Sequence, residues 1–142
     1  MITCLEDQLR RDEGCRGSAY QDNRGFWTIG IGTCIDARVN CGLTNDEIEL
    51  LFNNRVALAK SSLESQFPWV AALDPVRLGV LENLTFQMGV HGVAEFKQML
   101  AALQQGDFAA AAVALLDSAL AKTQAPSRAQ RLALCLTSGQ WQ

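Results

Sequence analysis

The chain has 142 residues, of which 49% are apolar and 19% are charged, and its formal net charge is −3. This length and balance are typical of one compact domain and exclude a disordered chain. The acidic balance argues against nucleic acid as a partner, because nucleic acid is bound mainly through Lys and Arg contacts to phosphates.

The first predicted element is a helix from about Thr3 to Glu13. Leu5, Leu9 and Glu13 follow one another at intervals of four residues, so they would lie along one side of this helix. Gly14 is expected to end it as a C-terminal cap.

A small antiparallel hairpin is predicted after this helix, within the segment from Arg16 to Thr33. The segment is rich in aromatic and β-branched residues, and the turn-forming run Asp22-Asn23-Arg24-Gly25 divides it. A third short strand is expected near Cys34 to Val39.

Alternation along the second strand would place Thr28 on the same face as Gly30 and Gly32. We expect the opposite, apolar face to be core. The face of Thr28 lacks larger side chains beyond it and would let an extended ligand approach the backbone closely, although glycines in strands are also common at bulges.

Helical signals fill the rest of the chain. Thr44 and Glu47 have capping-box spacing and open a helix predicted to run to about Gln66. Asp74-Pro75 combines a cap with a proline at the first helical position, and the helix it begins is expected to end at Gly89.

Three more helices are predicted towards the C-terminus. The first covers Val93 to Gln105, and the second covers Asp107 to Leu120, whose alanine and leucine content suggests burial on nearly all sides. Ser127 would cap a last helix from Arg128 to about Thr137. The whole is an α+β arrangement of a small β segment on a helical body, with a ligand-binding cleft expected between them.

Cysteine usage and the N-terminus carry further expectations. Five cysteines are an odd number, and Cys34 and Cys41 either form a bridge in an oxidising compartment or stay reduced. Their spacings and the single histidine, His91, do not suggest a metal site. No apolar run approaches the roughly 18 residues of a membrane span, and the N-terminus is charged too early for a signal peptide, so we expect no membrane insertion and no export route of its own.

Three polar residues follow one another at a spacing that suggests chemistry. Glu13 would end a helix, Asp22 would lie in a turn and Thr28 on a strand, so the three could meet where the β segment joins the helical body. Glycoside hydrolysis needs one protonated carboxyl group and one ionised one. The negative end of a helix favours protonated Glu13, a polar turn favours ionised Asp22, and the Thr28 hydroxyl could hold a water. The alternative is that both acids are ordinary solvated surface charges.

This segment resembles the active-site region of T-even-type phage lysozymes, which form glycoside hydrolase family 24. The resemblance includes Glu13, Asp22 and the run Thr28-Ile29-Gly30-Ile31-Gly32. Four later segments are similar to the family in the same order along the chain: Asn83–Gly89, Gly92–Phe96, Pro126–Arg131 and Ser138–Trp141.

The resemblance implies a lysozyme-like fold in one domain, residues 1–142, with an active-site cleft between two lobes. Residues 13–43 would form mainly the β lobe, residues 1–12 and 67–142 the helical lobe, and residues 44–66 a connecting helix. The segment 34–43 is shorter than in the best-known members, and Thr33 stands where the family often carries His.

The implied reaction is hydrolysis of the β-1,4 bond between N-acetylmuramic acid and N-acetylglucosamine in peptidoglycan. Glu13 would be the acid, Asp22 the base and Thr28 the residue that orients the water. Other matched positions have binding or supporting roles: Cys34 and Phe86 lining the substrate cleft, Arg128 pairing with the catalytic glutamate, and Gly30 and Gly32. No metal or cofactor is implied.

The biological setting implied is lysis of a bacterial host. The protein would be a monomer that waits in the host cytoplasm until a holin opens the membrane, and would then act on the glycan strand of the cell wall. The alternatives are a catalytically silent peptidoglycan-binding or structural relative, and an active enzyme that serves as a virion lysin or a secreted effector.

Overall fold

The computed structural model describes residues 4–142, so Thr3, the predicted start of the first helix, lies outside the described residues. The chain divides into two compact units, Met1–Leu50 (unit 1) and Leu51–Gln142 (unit 2). The structure combines a small antiparallel sheet with a mostly helical chain, which confirms the predicted α+β fold.

Unit 1 begins with helix α1, Leu5–Glu13. As predicted, Gly14 ends the helix: its φ is 74°, and its N–H donates to the Arg10 carbonyl. A sheet of three antiparallel strands follows in the order β1-β2-β3, with bounds Arg16–Gln21, Trp27–Gly30 and Thr33–Cys34.

The central strand corrects one prediction. Thr28 is the buried residue of β2, with 4% exposed, whereas Trp27 is 46% exposed and Ile31 is 38% exposed. The apolar face is therefore not the core. The alternation also stops early, because β2 ends at Gly30, whose φ of 66° turns the chain out of the strand.

The third short strand predicted near Cys34 to Val39 is present as β3, but it ends at Cys34, and the loop after it contains a short 3-10 helix, Ala37–Val39. A disulfide joins Cys34 to Cys41. Helix α2 then spans Asn45–Gln66, as predicted. Its capping box is complete, because the Thr44 amide donates to the Glu47 carboxylate at 2.7 Å and the Glu47 amide donates back to the Thr44 hydroxyl at 3.3 Å.

Unit 2 contains most of the helices. Helix α3 starts on the Asp74 cap, which accepts hydrogen bonds from two amides, and its helical geometry breaks at Gly89, where we predicted the end. The elements after α2 are the 3-10 helix Pro68–Ala72, α3 Pro75–Ala94, α4 Lys97–Gln104, α5 Phe108–Leu116, a π-helical turn Leu120–Gln124 and α6 Pro126–Ser138.

One hydrophobic core fills unit 2, and its side chains come from all of these helices. Leucines with no exposed surface form its centre: Leu63, Leu81, Leu84, Leu115 and Leu136. None of the helices in the described part of the chain is both long and apolar enough to cross a membrane.

Two predictions for the C-terminal helices were wrong. Helix α5 is not buried all round, since Val113 is 67% exposed and Leu116 is 42% exposed. It buries Ala111, Ala112 and Leu115, and it packs against α4, α6 and the π-helical turn. Ser127 does not cap α6, because the helix already begins at Pro126.

Candidate active site

Glu13, the candidate general acid, is the last residue of α1 and is exposed. Its carboxyl group lies against the backbone of Gly32: a methyl group added to Gly32 would stand 2.6 Å from Oε2 and 2.9 Å from Cδ of Glu13. Gly32 also has a φ of 70°, a backbone angle that residues with a side chain rarely adopt. The backbone conformation therefore favours glycine at position 32, and a side chain there would displace the Glu13 carboxyl group from its present position.

Asp22, the candidate base, holds the turn between β1 and β2. Its Oδ1 accepts hydrogen bonds from the amides of Arg24 and Phe26, each at 2.9 Å. The Asp22 amide donates to the Phe26 carbonyl at 2.9 Å, and the Gly25 amide donates to the Asp22 carbonyl at 3.0 Å. These bonds fix the shape of the turn through Oδ1 and the backbone, and Oδ2 takes no part in them.

Thr28 lies opposite Cys34 on β3 and opposite Tyr20 on β1. Its hydroxyl donates a hydrogen bond to the Phe26 carbonyl at 3.2 Å. Asp22 and Thr28 are thus anchored on the same residue, one on its amide and the other on its carbonyl. The Thr28 oxygen keeps its capacity to accept a hydrogen bond.

Asp36 was not singled out from the sequence, although it lies next to these residues. Its side chain is buried, and its Oδ2 accepts a hydrogen bond from the Trp27 amide at 2.9 Å. Arg38 binds the same carboxylate as a fork, with Nε 2.9 Å from Oδ1 and Nη2 2.6 Å from Oδ2. The Arg38 Nη2 also donates to the Gly25 carbonyl at 2.7 Å.

These contacts determine the charge of Asp36. The hydrogen bonds from the Arg38 side chain, followed by the one from the Trp27 amide, hold the pKa of Asp36 far below its ordinary value, although burial alone would raise it. Asp36 therefore stays ionised at any pH at which a carboxylate base works. The sequence signal was an Asp and an Arg two residues apart, directly after a strand and between two cysteines.

The remaining candidates are divided between the units. Cys34 is half-buried and joined to Cys41, so it presents a disulfide and not a thiol. Phe86 and Arg128 belong to unit 2, where they line a cavity of about 280 Å³ together with Trp141. Phe86 also contacts the Phe52 ring edge-to-face at a centroid distance of 5.9 Å.

Within unit 1 the structure brings together Glu13 with Gly32, and Asp22 with Thr28 through Phe26. Gly30 has the positive φ that ends β2, and a Cβ added to it would meet no atom within 4 Å. Across residues 4–142, no group of three or more His, Cys, Asp or Glu side chains could hold a metal ion.

Comparison with known proteins agrees with this fold. The family model described as phage lysozyme matches residues 10–129. Probable T4-type lysozyme 1 of Dictyostelium discoideum is 29% identical, over 98% of this chain and 96% of the relative. Probable T4-type lysozyme 2 of the same organism is 28% identical over equal shares.

A third relative is much longer than this chain. The pre-baseplate central spike protein Gp5 of Enterobacteria phage T4 is 34% identical over 95% of this chain, but the matched region is only 28% of the spike protein. Since the family match covers residues 10–129 of 142, the chain belongs to the phage lysozyme family and is a lysozyme-like peptidoglycan hydrolase.

Proposed function

We propose that this protein hydrolyses the β-1,4 bond between N-acetylmuramic acid and N-acetylglucosamine, with Glu13 as general acid and Asp22 as general base. The observation that carries the proposal is that Asp22 and Thr28 are both hydrogen-bonded to Phe26. Asp22 uses Oδ1 for this bond, so Oδ2 is not needed to hold the turn. A water bound to the Thr28 oxygen would give one proton to Oδ2 as it attacks the sugar. Glu13 would protonate the leaving oxygen.

The other matched residues take binding roles in this proposal. Arg128 would pair with the Glu13 carboxyl group, and Phe86 and the disulfide at Cys34 would line the sugar-binding groove. Gly32 gives room to Glu13, and Gly30 ends the strand beside it. In the same proposal residues 1–142 work as one domain of two lobes, with residues 13–43 mainly in the β lobe and residues 44–66 as the connection.

The proposed setting is lysis of a bacterial host by a monomeric enzyme that reaches the wall after a holin has opened the membrane. The full-length similarity to proteins named lysozymes supports a free enzyme. The 34% identity to part of a phage spike protein favours, as a second candidate, a lysozyme that works within a virion. A catalytically silent wall-binding relative is the remaining alternative.

Digestion of purified sacculi separates these possibilities. Mass spectrometry of the released fragments should find new reducing ends, and an anhydro end would instead indicate lytic transglycosylation. The variant Glu13→Gln should lower the rate by about 10²–10⁴-fold, the usual contribution of a general acid. Glu6→Gln is the matched control, because Glu6 is an exposed glutamate on the same helix. Full activity in Glu13→Gln would rule out the role of Glu13.

Asp22→Asn tests the base without removing the turn. The amide oxygen of Asn can still accept the hydrogen bonds from Arg24 and Phe26, whereas the charge at Oδ2 is lost. We expect folded but nearly inactive protein.

Binding to sacculi by the wild-type protein without release of reducing sugar would select the silent relative. Expression in Gram-negative cells with and without a holin, followed by culture turbidity, tests the host-lysis setting.

A further inference from the structure

Asp36 is the one charged residue that is buried in the described part of the chain, with 3% exposed, and it is not among the proposed catalytic residues. Burying an ionised carboxylate is unfavourable unless hydrogen bonds and an opposite charge replace the lost water. Here Arg38 and the Trp27 amide supply both. Both groups that compensate for the burial are next to the turn before β2: Trp27 is the first residue of β2, and Arg38 also contacts Gly25 in the turn.

The bridge to that turn is the Arg38 guanidinium. Its Nη2 contacts both the Asp36 carboxylate and the Gly25 carbonyl, and its Cζ lies 5.5 Å from the centre of the Phe26 ring. Gly25 and Phe26 both belong to the hydrogen-bonded turn of Asp22. Arg38 therefore holds the turn at two points beyond the bonds that the turn makes itself.

The loop that carries Asp36 and Arg38 is itself fixed. The disulfide between Cys34 and Cys41 closes it, and the Asp36 carbonyl accepts hydrogen bonds from the amides of Val39 at 3.2 Å and Cys41 at 3.1 Å. A closed loop with internal hydrogen bonds is a rigid support, which a surface arginine on a free loop would not be.

We propose that Asp36 is a positioning residue for the catalytic base, and that it acts through Arg38 to fix the turn that carries Asp22. This inference rests on the proposed role of Asp22. The bonds that Oδ1 accepts all lie within the turn, whereas Arg38 adds a hydrogen bond to Gly25 from a different loop. A general base must be held close to its productive geometry, because a displacement of about 1 Å can cost about 10²-fold in rate.

The test compares Arg38→Lys and Asp36→Asn with wild type on soluble peptidoglycan fragments of defined length. Lysine keeps the charge but cannot form the fork to Asp36 and reach the Gly25 carbonyl as well. We expect kcat to fall by about tenfold or more in both variants while KM stays within about twofold. Arg16→Lys is the control, because Arg16 also stacks on a ring of the same sheet, that of Tyr20, at 4.6 Å.

A second measurement separates positioning from folding. The side chain of Arg38 is 62% exposed, so Arg38→Lys should fold even if Asp36→Asn does not, and thermal melts confirm that the assay temperature is below the transition. In an Asp22→Asn background, Arg38→Lys should cause no further loss of the remaining slow turnover. An unchanged kcat in folded Arg38→Lys overturns the proposal, and so does an equal loss in both backgrounds. Full activity of Asp22→Asn alone would instead contradict the proposed role of Asp22 as the general base.

Discussion

Gly32 shows how much of the candidate site depends on one missing side chain. A methyl group there would stand 2.6 Å from Glu13 Oε2, so the flexible end of the glutamate would have to shift from its present position. Substitution of Gly32 should therefore act on the proposed acid and not only on the backbone. A second glycine with a similar φ, Gly106, allows the effect on the backbone to be measured apart from the effect on Glu13.

We predict that Gly32→Ala lowers the rate of peptidoglycan hydrolysis at least tenfold per folded molecule. Gly106→Ala is the control, since Gly106 has a nearly equal φ of 74° and nothing within 4 Å of the added methyl group. Each substitution should cost about 1–2 kcal/mol of stability for its left-handed backbone, as measured by urea denaturation. Equal activities of the two folded variants would show that Gly32 matters only for conformation.

Asp36 makes a prediction about acid stability. Its folded-state pKa is lowered mainly by the Arg38 side chain, so its stabilising contribution is complete above the unfolded value of about 4 and is lost as the pH falls through the lower folded value. Wild type should melt at a higher temperature than Asp36→Asn near pH 7, and the difference should shrink below about pH 4. For Asp12→Asn, which removes an exposed pair with Arg11, the difference should stay small throughout. A gap that widens in acid would contradict this sign.

Among the helices, the start of α3 and the end of α6 are joined by Arg77. Its Nε donates to the Leu136 carbonyl at 2.8 Å, in the last turn of α6, and its Nη1 lies 2.8 Å from the Asp74 carboxylate that caps α3. The guanidinium also lies 3.6 Å from the centre of the Phe108 ring. One side chain thus links the start of α3, the end of α6 and the start of α5.

We predict that Arg77→Ala lowers the free energy of unfolding by about 1–3 kcal/mol, because a charged hydrogen bond to a carbonyl is lost where the side chain is only 14% exposed. Arg131→Ala is the control, since Arg131 is an exposed arginine on α6. Urea denaturation measures both. A loss in Arg131→Ala as large as in Arg77→Ala would show that helical arginines, and not this link, determine the result.

The helix starts could be predicted because their signals are local. Thr44 with Glu47 and Asp74 with Pro75 place a side-chain acceptor within three residues of the amides that it binds. Which face of β2 is buried was mispredicted, because burial depends on which elements cover the sheet, and alternation carries no information about that. The roles of Asp36 and Arg38 depend on contacts across 9 and 13 residues, to Trp27 and Gly25, which no spacing rule includes.

At the scale of the whole molecule, the buried apolar side chains are distributed very unequally. Those in the described residues all belong to unit 2, from Ala59 to Leu136. In residues 4–50 of unit 1 the buried residues are Thr28 and Asp36, and the disulfide adds a covalent link. Unit 1 is therefore held mainly by hydrogen bonds, ion pairs and a disulfide, whereas unit 2 is held by a hydrophobic core.

We predict that native-state hydrogen exchange separates the two units. Amides of β1–β3 should exchange by local opening, while those at the centres of α3 and α6 should exchange only by global unfolding. Reductant should open the Cys34–Cys41 link and speed exchange in the strands alone. Leu84→Ala should remove about 2–5 kcal/mol from the helices and leave the strands unchanged, with the exposed Leu134→Ala as control. If the strands and the helices share one opening free energy that changes together in both experiments, the chain opens as a single cooperative unit. That result would contradict this division.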